Sequence, residues 1–246
     1  MNRRPTNPLA TADKTEKRRR TLIQIAVAAV LVGLIAAIGA NIAVKRADRD
    51  RPSATPSIPA VSGPTGVTGS LTDQGAIRIG KPGAPRTIRL VADLQCPACK
   101  EFEHTYGPLL EDAVTNGRAT VDYDIIAFLD RASTSEYSSR AANASYCAAE
   151  SDPTKYQRWL ATMYDHQPRE GSDGLPDTTL VTIAAGADYT DPAFGSCVTD
   201  HRYIDYARAR TQEVLTGGVQ STPTIFLDGT QVSATELAAA LSTDPR

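Results

Sequence analysis

Cys96 and Cys99, with two residues between them, lie where the hydrophobic period changes, and that junction constrains the fold more than any other stretch of the chain. Before it, Arg86–Leu94 contains Thr87-Ile88-Arg89-Leu90-Val91, a run of β-formers bounded by Pro85, which reads as a strand. After it, Phe102, Tyr106, Leu109, Leu110 and Ala113 recur at helical spacing. Pro97 suits the first helical position, where its missing N–H costs nothing. Pro108, further along, predicts a kink.

This placement carries chemistry. The free N–H groups and the macrodipole at a helix start stabilise an anion, and a Cys96 thiolate is such an anion. Cysteines so placed have pKa values of roughly 3.5–7.5 in place of about 8.5. Cys99, one turn on and less exposed, is the expected partner that attacks a mixed disulfide at Cys96. A lone CxxC also fits a structural bridge or half a zinc site. No second CxxC is present, and His104, His166 and His201 show no paired ligand spacing, so no metal is expected.

The compartment follows from Leu22–Val44, 23 residues without a charge. At 1.5 Å per residue they reach across a hydrocarbon core of roughly 30 Å. Lys14, Lys17, Arg18, Arg19 and Arg20 precede the run, so a basic tail (1–21) is expected in the cytoplasm and everything after Val44 outside. A cleaved signal peptide, with Ala37 and Gly39 near its cleavage site, is the rival reading and exports the same residues. Residues 45–75, rich in Pro, Gly, Ser and Thr, read as a tether, which leaves 76–246 as the folded domain. Residues 52–246 carry 15 Lys/Arg against 24 Asp/Glu, a balance that argues against nucleic-acid binding. An even count of four exported cysteines favours disulfides. Of the three connectivities, spacing favours Cys96 with Cys99 and Cys147 with Cys197.

Downstream, Thr222-Pro223 precedes a strand at Thr224–Leu227, and Asp228-Gly229 is a hairpin signal. A strand, CPxC opening a helix, and a distant Thr-Pro before a hairpin resemble the thioredoxin fold. Asp93-Leu94-Gln95-Cys96-Pro97-Ala98-Cys99 with Phe102-Glu103, and Ile79-Gly80-Lys81-Pro82-Gly83-Ala84-Pro85 upstream, resemble the DsbA-like thiol–disulfide oxidoreductases. The resemblance implies an α/β thioredoxin-like fold, a central mixed sheet flanked by helices, with a helical insertion over about 133–215. It also implies a cis Pro223 whose loop, with Thr222, faces Cys96 and pairs with an extended client. Within the insertion, Ser133-Thr134-Ser135-Glu136 matches a capping box, and Asp152–Met163, Pro176–Ala187 and about His201–Leu215 read as helices. Cys147 and Cys197 are expected to join two of its helical segments.

Two departures matter. Ala98 stands where many family members have His, which predicts a less oxidising site. Leu90 stands where many thioredoxin-fold enzymes place a buried acid. Asp93 and Glu103 are then the candidates for proton transfer to and from Cys99, although each reads from sequence as a solvated carboxylate. The resulting expectation is an exported, membrane-tethered, monomeric protein-disulfide oxidoreductase with no cofactor. Its clients are reduced exported proteins, and its reoxidising partner is a quinone-linked membrane protein of the VKOR-like or DsbB-like kind. The rivals are an isomerase or reductase, as in cytochrome maturation, and a non-catalytic binding or sensor ectodomain.

Overall fold

A computed structural model of the chain describes residues 22–36, 38–39, 54–59 and 61–242. The chain divides into two compact units, Met1–Pro52 and Ser53–Arg246. In the first, residues 22–36 and 38–39 are helical and exposed. Among the described residues no helix is long and apolar enough to cross a membrane. The rest of the 22–44 span, the basic tail over 1–21 and residues 40–53 lie outside the described residues.

The second unit is built on a six-stranded mixed sheet in the order β1-β2-β4-β3-β5-β6. Its strands are β1 (Thr68–Leu71), β2 (Ile77–Gly80), β3 (Arg86–Ala92), β4 (Ala119–Ile125), β5 (Thr224–Leu227) and β6 (Thr230–Val232). Among the described residues only β3 and β4 pair in parallel, joined by α1 (Pro97–Thr115). Ile88, Leu90, Val121, Tyr123 and Ile125 fill the sheet's centre and are buried. Helix α1 lays Cys99, Phe102, Glu103, Gly107, Leu110, Ala113 and Val114 against it. Their spacing of three and four residues makes one buried stripe. Burying Phe102 and Leu110 contributes roughly 1.5–3 kcal/mol each. The helix continues through Pro108, so that residue does not end it.

Between β4 and β5 lie five α-helices: α2 (Tyr137–Ser151), α3 (Tyr156–Asp165), α4 (Asp177–Ala185), α5 (Pro192–Thr199) and α6 (Ile204–Thr216). Helix α7 (Ala234–Ser242) follows the hairpin. Helix α2 is buried along most of its length because Ala and Ser let neighbours close in on every side. A disulfide ties it to α5 through Cys147 and Cys197, with Cα atoms 5.9 Å apart. Asn143 adds polar ties from the same helix: its Nδ2 donates to Val198 O, and its Oδ1 accepts from Tyr203 N.

Two local expectations change. The capping box before α2 does not form. Glu136 adopts a left-handed backbone (φ 53°) and sends its carboxylate to Arg208. Asp130 caps that helix instead, accepting from Ser139 N at 2.9 Å. The segment read as a tether over 45–75 contributes β1, which pairs with β2. Its glycines serve packing: a Cβ on Gly69 would lie 2.2 Å from the ring of Pro153. Trp159 and Tyr156 are core residues, fully buried. The Asp228-Gly229 turn has both residues at positive φ (51° and 84°), as a two-residue hairpin requires. Asp228 also accepts from Thr87 N and Arg86 Nε, locking the hairpin to β3.

Candidate active site

Strand β3 ends at Ala92, and Asp93-Leu94-Gln95 turns the chain into α1. Cys96 is the residue before the first helical position, with extended backbone (φ −79°, ψ 119°), and Pro97 opens the helix. Both thiols are free; Cys96 is 7% and Cys99 1% exposed. The loop carrying the cis Thr222-Pro223 peptide faces them, with the Cys96 thiol donating to Thr222 O at 3.4 Å. CPAC, Thr222 and Pro223 therefore meet at one end of the sheet, although 126 residues separate Cys96 from Thr222.

The electrostatics of the two sulfurs diverge. A hydrogen bond from Cys99 brings the Cys96 thiol down to about 6, against the opposing effect of burial. The Thr222 side chain and the backbone N–H groups of Cys99 and Ala98 add to the lowering. Burial pushes Cys99 the other way, far up, and the neighbouring Cys96 sulfur adds to it. At neutral pH the pair therefore holds one thiolate and one thiol, with the charge on the outer sulfur.

The two candidate acids are buried, which corrects the solvated reading. Asp93 is 0% exposed. Its Oδ1 accepts from Gln95 N and Ser138 Oγ, and its Oδ2 from Leu129 N, at 2.7–2.8 Å. Burial outweighs these bonds and raises its carboxyl to about 6. Glu103 sits one turn beyond Cys99 on the same buried stripe, folded over the bare Cα of Gly107, where a Cβ would lie 2.7 Å from Oε1. Its Oε2 has no partner, and burial raises its carboxyl to about 7, with Glu111 adding to the rise. His104 is at the surface, paired with Asp165 at 3.0 Å.

Glu103 therefore destabilises the fold as it ionises. Its folded pKa lies above the unfolded value near 4.3, so its cost develops between about pH 4.3 and 7 and is complete above that. Glu103→Gln is expected to stabilise the protein by roughly 3–4 kcal/mol at pH 8 and to change little at pH 4. Urea melts at the two pH values check this. Equal effects at both would show that ionisation of Glu103 is not the cause.

Two glutamines that sequence reasoning missed hold the reactive loop. Gln167 Nε2 donates to Cys96 O at 2.9 Å and Leu94 O at 3.1 Å. Gln95 Nε2 donates to Ser172 O at 3.1 Å. Nothing in the periodicity marks them, since each acts through a backbone carbonyl more than 70 residues away. Among the described residues no group of three His, Cys, Asp or Glu side chains is placed to hold a metal ion.

A family model described as thioredoxin matches residues 72–243. The chain belongs to the thioredoxin family. The solved structure of oxidised DsbA from Mycobacterium tuberculosis matches with a TM-score of 0.59 at 28% identity, over 71% of this chain and 90% of that one. MdbA, a thiol-disulfide oxidoreductase from Corynebacterium diphtheriae, matches with a TM-score of 0.59 at 25% identity, over 73% of this chain and 95% of that one. Among curated proteins, the serine/threonine-protein kinase PknE of M. tuberculosis (strain ATCC 25618 / H37Rv) is 31% identical over 163 residues, 63% of this chain and 28% of the kinase. The chain thus spans under a third of that relative's length. With the dithiol and its facing cis-proline loop, these matches make the protein a DsbA-like thiol–disulfide oxidoreductase.

Proposed function

We propose that this DsbA-like protein is an extracytoplasmic, membrane-tethered oxidase that introduces disulfides into exported proteins. The observation that carries the reading is the placement of Cys96 before the first residue of α1, with its Sγ 3.4 Å from Thr222 O of the cis-proline loop, where hydrogen bonds, chiefly from Cys99, bring its thiol down to about 6. A thiol with a low pKa is a good leaving group, so a mixed disulfide at Cys96 is released readily to the client's second thiolate, and the stable Cys96 thiolate favours the reduced enzyme. A client thiolate attacks Cys96 Sγ, and the Cys96–Cys99 bond breaks. Cys99 leaves and takes a proton, as its raised pKa requires. The client's second thiolate then attacks the client sulfur of the mixed disulfide, and Cys96 leaves as a thiolate. The client dithiol loses two electrons and the enzyme gains them. A quinone-linked partner, VKOR-like or DsbB-like, removes them again.

Asp93 and Glu103, with carboxyls raised to about 6 and 7, are suited to carry the Cys99 proton. The tether reading rests on the uncharged Leu22–Val44 run and the basic residues before it. Ala98, exposed and without a donor, places the expected potential between those of the strongest oxidants and thioredoxin, roughly −120 to −270 mV.

The test is refolding of a reduced two-disulfide client with the oxidised enzyme and a reoxidant, beside the same client in scrambled form. The oxidase reading expects the reduced client to regain activity, and Cys96→Ser to abolish this without unfolding the domain. Rescue of the scrambled client alone would replace the oxidase reading with an isomerase.

A further inference from the structure

A polar cavity of about 500 Å³ lies behind the loop that carries Thr222 and Pro223, and the site described above leaves it unused. Gln220, Ser221 and Thr224 line it next to that peptide, and Arg89, Phe226 and Gln231 line it further along β3, β5 and β6. Behind its wall Asp124 is 0% exposed. It accepts from Arg210 Nε at 2.7 Å and Nη2 at 2.9 Å, and from Arg89 Nε at 2.7 Å. One buried carboxylate thus faces two guanidinium groups. Arg210 spends its remaining edge on Glu213, which is 68% exposed. Arg89 does not: its Nε is used, its face lies 5.2 Å over the Phe226 ring, and its two Nη groups have no acceptor among the described residues. A guanidinium held at one edge and one face, with its outer fork free in a cavity, is shaped to take a carboxylate.

Building on the oxidase reading, we infer that Arg89 receives an aspartate or glutamate side chain of the client, making client cysteines with a nearby acidic residue preferred substrates. The spacing follows from the sheet. Thr222 touches the reactive sulfur, and Phe226, beside Arg89, is four residues on. At about 3.3 Å per residue that is at most roughly 13 Å, so an extended client crossing this distance places the acid within about four residues of its cysteine. Residues 52–246 carry nine more acidic than basic groups, so the general field disfavours acidic peptides. A preference for them marks a local site.

Capped peptides with one cysteine, and Glu or Gln three to five residues to either side, provide the test. Their rates of attack on the oxidised full-length enzyme are measured at low salt. The Glu peptide with the correct spacing is expected to react about fivefold faster than its Gln twin, an advantage that salt removes. Arg89→Gln, which can still donate to Asp124, is expected to erase the advantage and leave the Gln peptide's rate unchanged. Equal wild-type rates, or an advantage that survives in Arg89→Gln, overturn the proposal and leave the oxidase reading standing. If no peptide reacts, the oxidase reading fails. The proposal is then decided by whether a Ser-for-Cys Glu peptide shifts the Arg89 Nε–H resonance more than its Gln twin does.

Discussion

Reduced protein treated with iodoacetamide at pH 6 is expected to be alkylated at Cys96 about tenfold faster than an ordinary thiol. With a pKa of about 6, half of Cys96 is ionised there. An ordinary thiol of pKa 8.5 is ionised to roughly 0.3%, an advantage in thiolate of about 150-fold. Nucleophilicity falls with pKa, at a Brønsted slope of roughly 0.4–0.5, which removes about a factor of 10–20. The same arithmetic makes the two rate profiles cross roughly one unit below the ordinary thiol's pKa, after which Cys96 is the slower of the two. Cys99, at 1% exposed, is expected to remain unlabelled in the folded state. The depressed pKa also stabilises the reduced fold. That contribution is complete above the unfolded value near 8.5, shrinks below it and is lost as pH falls through about 6. The melting temperature of the reduced form should therefore drop relative to the oxidised form as the pH goes from 8 to 5. A Cys96 midpoint near 8.5, with no crossing, would refute both expectations.

The second large effect concerns Cys147 and Cys197. Their bridge closes a loop of 50 residues between α2 and α5. In the chain-entropy account a loop of that length contributes about 4 kcal/mol. Replacing both residues by Ala should lower the melting temperature by roughly 8–16 °C for a domain of this size. The double variant, assayed at 25 °C, should keep its Cys96 reactivity, because the bridge lies in the insertion and the reactive sulfurs lie at the start of α1. A shift below about 2 °C would show that the bridge constrains little. Loss of Cys96 reactivity in a folded variant would show that the bridge also shapes the site.

How far the chain could be read without coordinates depended on whether a feature's cause was local. The CPAC junction was legible because Pro97 at the first helical position and the switch from strand to helix period occupy adjacent residues. The hairpin was legible because Asp228-Gly229 meets its own backbone requirement. Strand β1 was not legible: Thr-Gly-Ser-Leu has no β-branched alternation, and it is a strand because β2 lies beside it. Helix α5, of eight residues, was too short to show a period, although it carries Cys197. The two acids were misjudged for one reason. A carboxylate's burial is decided by what packs over it, here Leu129 and Ser138 over Asp93, and the α1 stripe around Glu103. Arg89 was read as part of a strand, correctly, but the cavity it faces needs α6, β5 and β6 in place.

The tie from Gln167 to the Cys96 carbonyl has a consequence for engineering. Miniaturising this protein to the bare sheet, by excising residues 127–217 and leaving the stretch that leads into β5, would keep CPAC and the cis-proline loop. It would also remove Gln167, Leu129 and Ser138, the outside contacts that pin Asp93 and Cys96. The shortened scaffold would retain both sulfurs on an unbraced loop, so the inserted helices work as a buttress for the nucleophile.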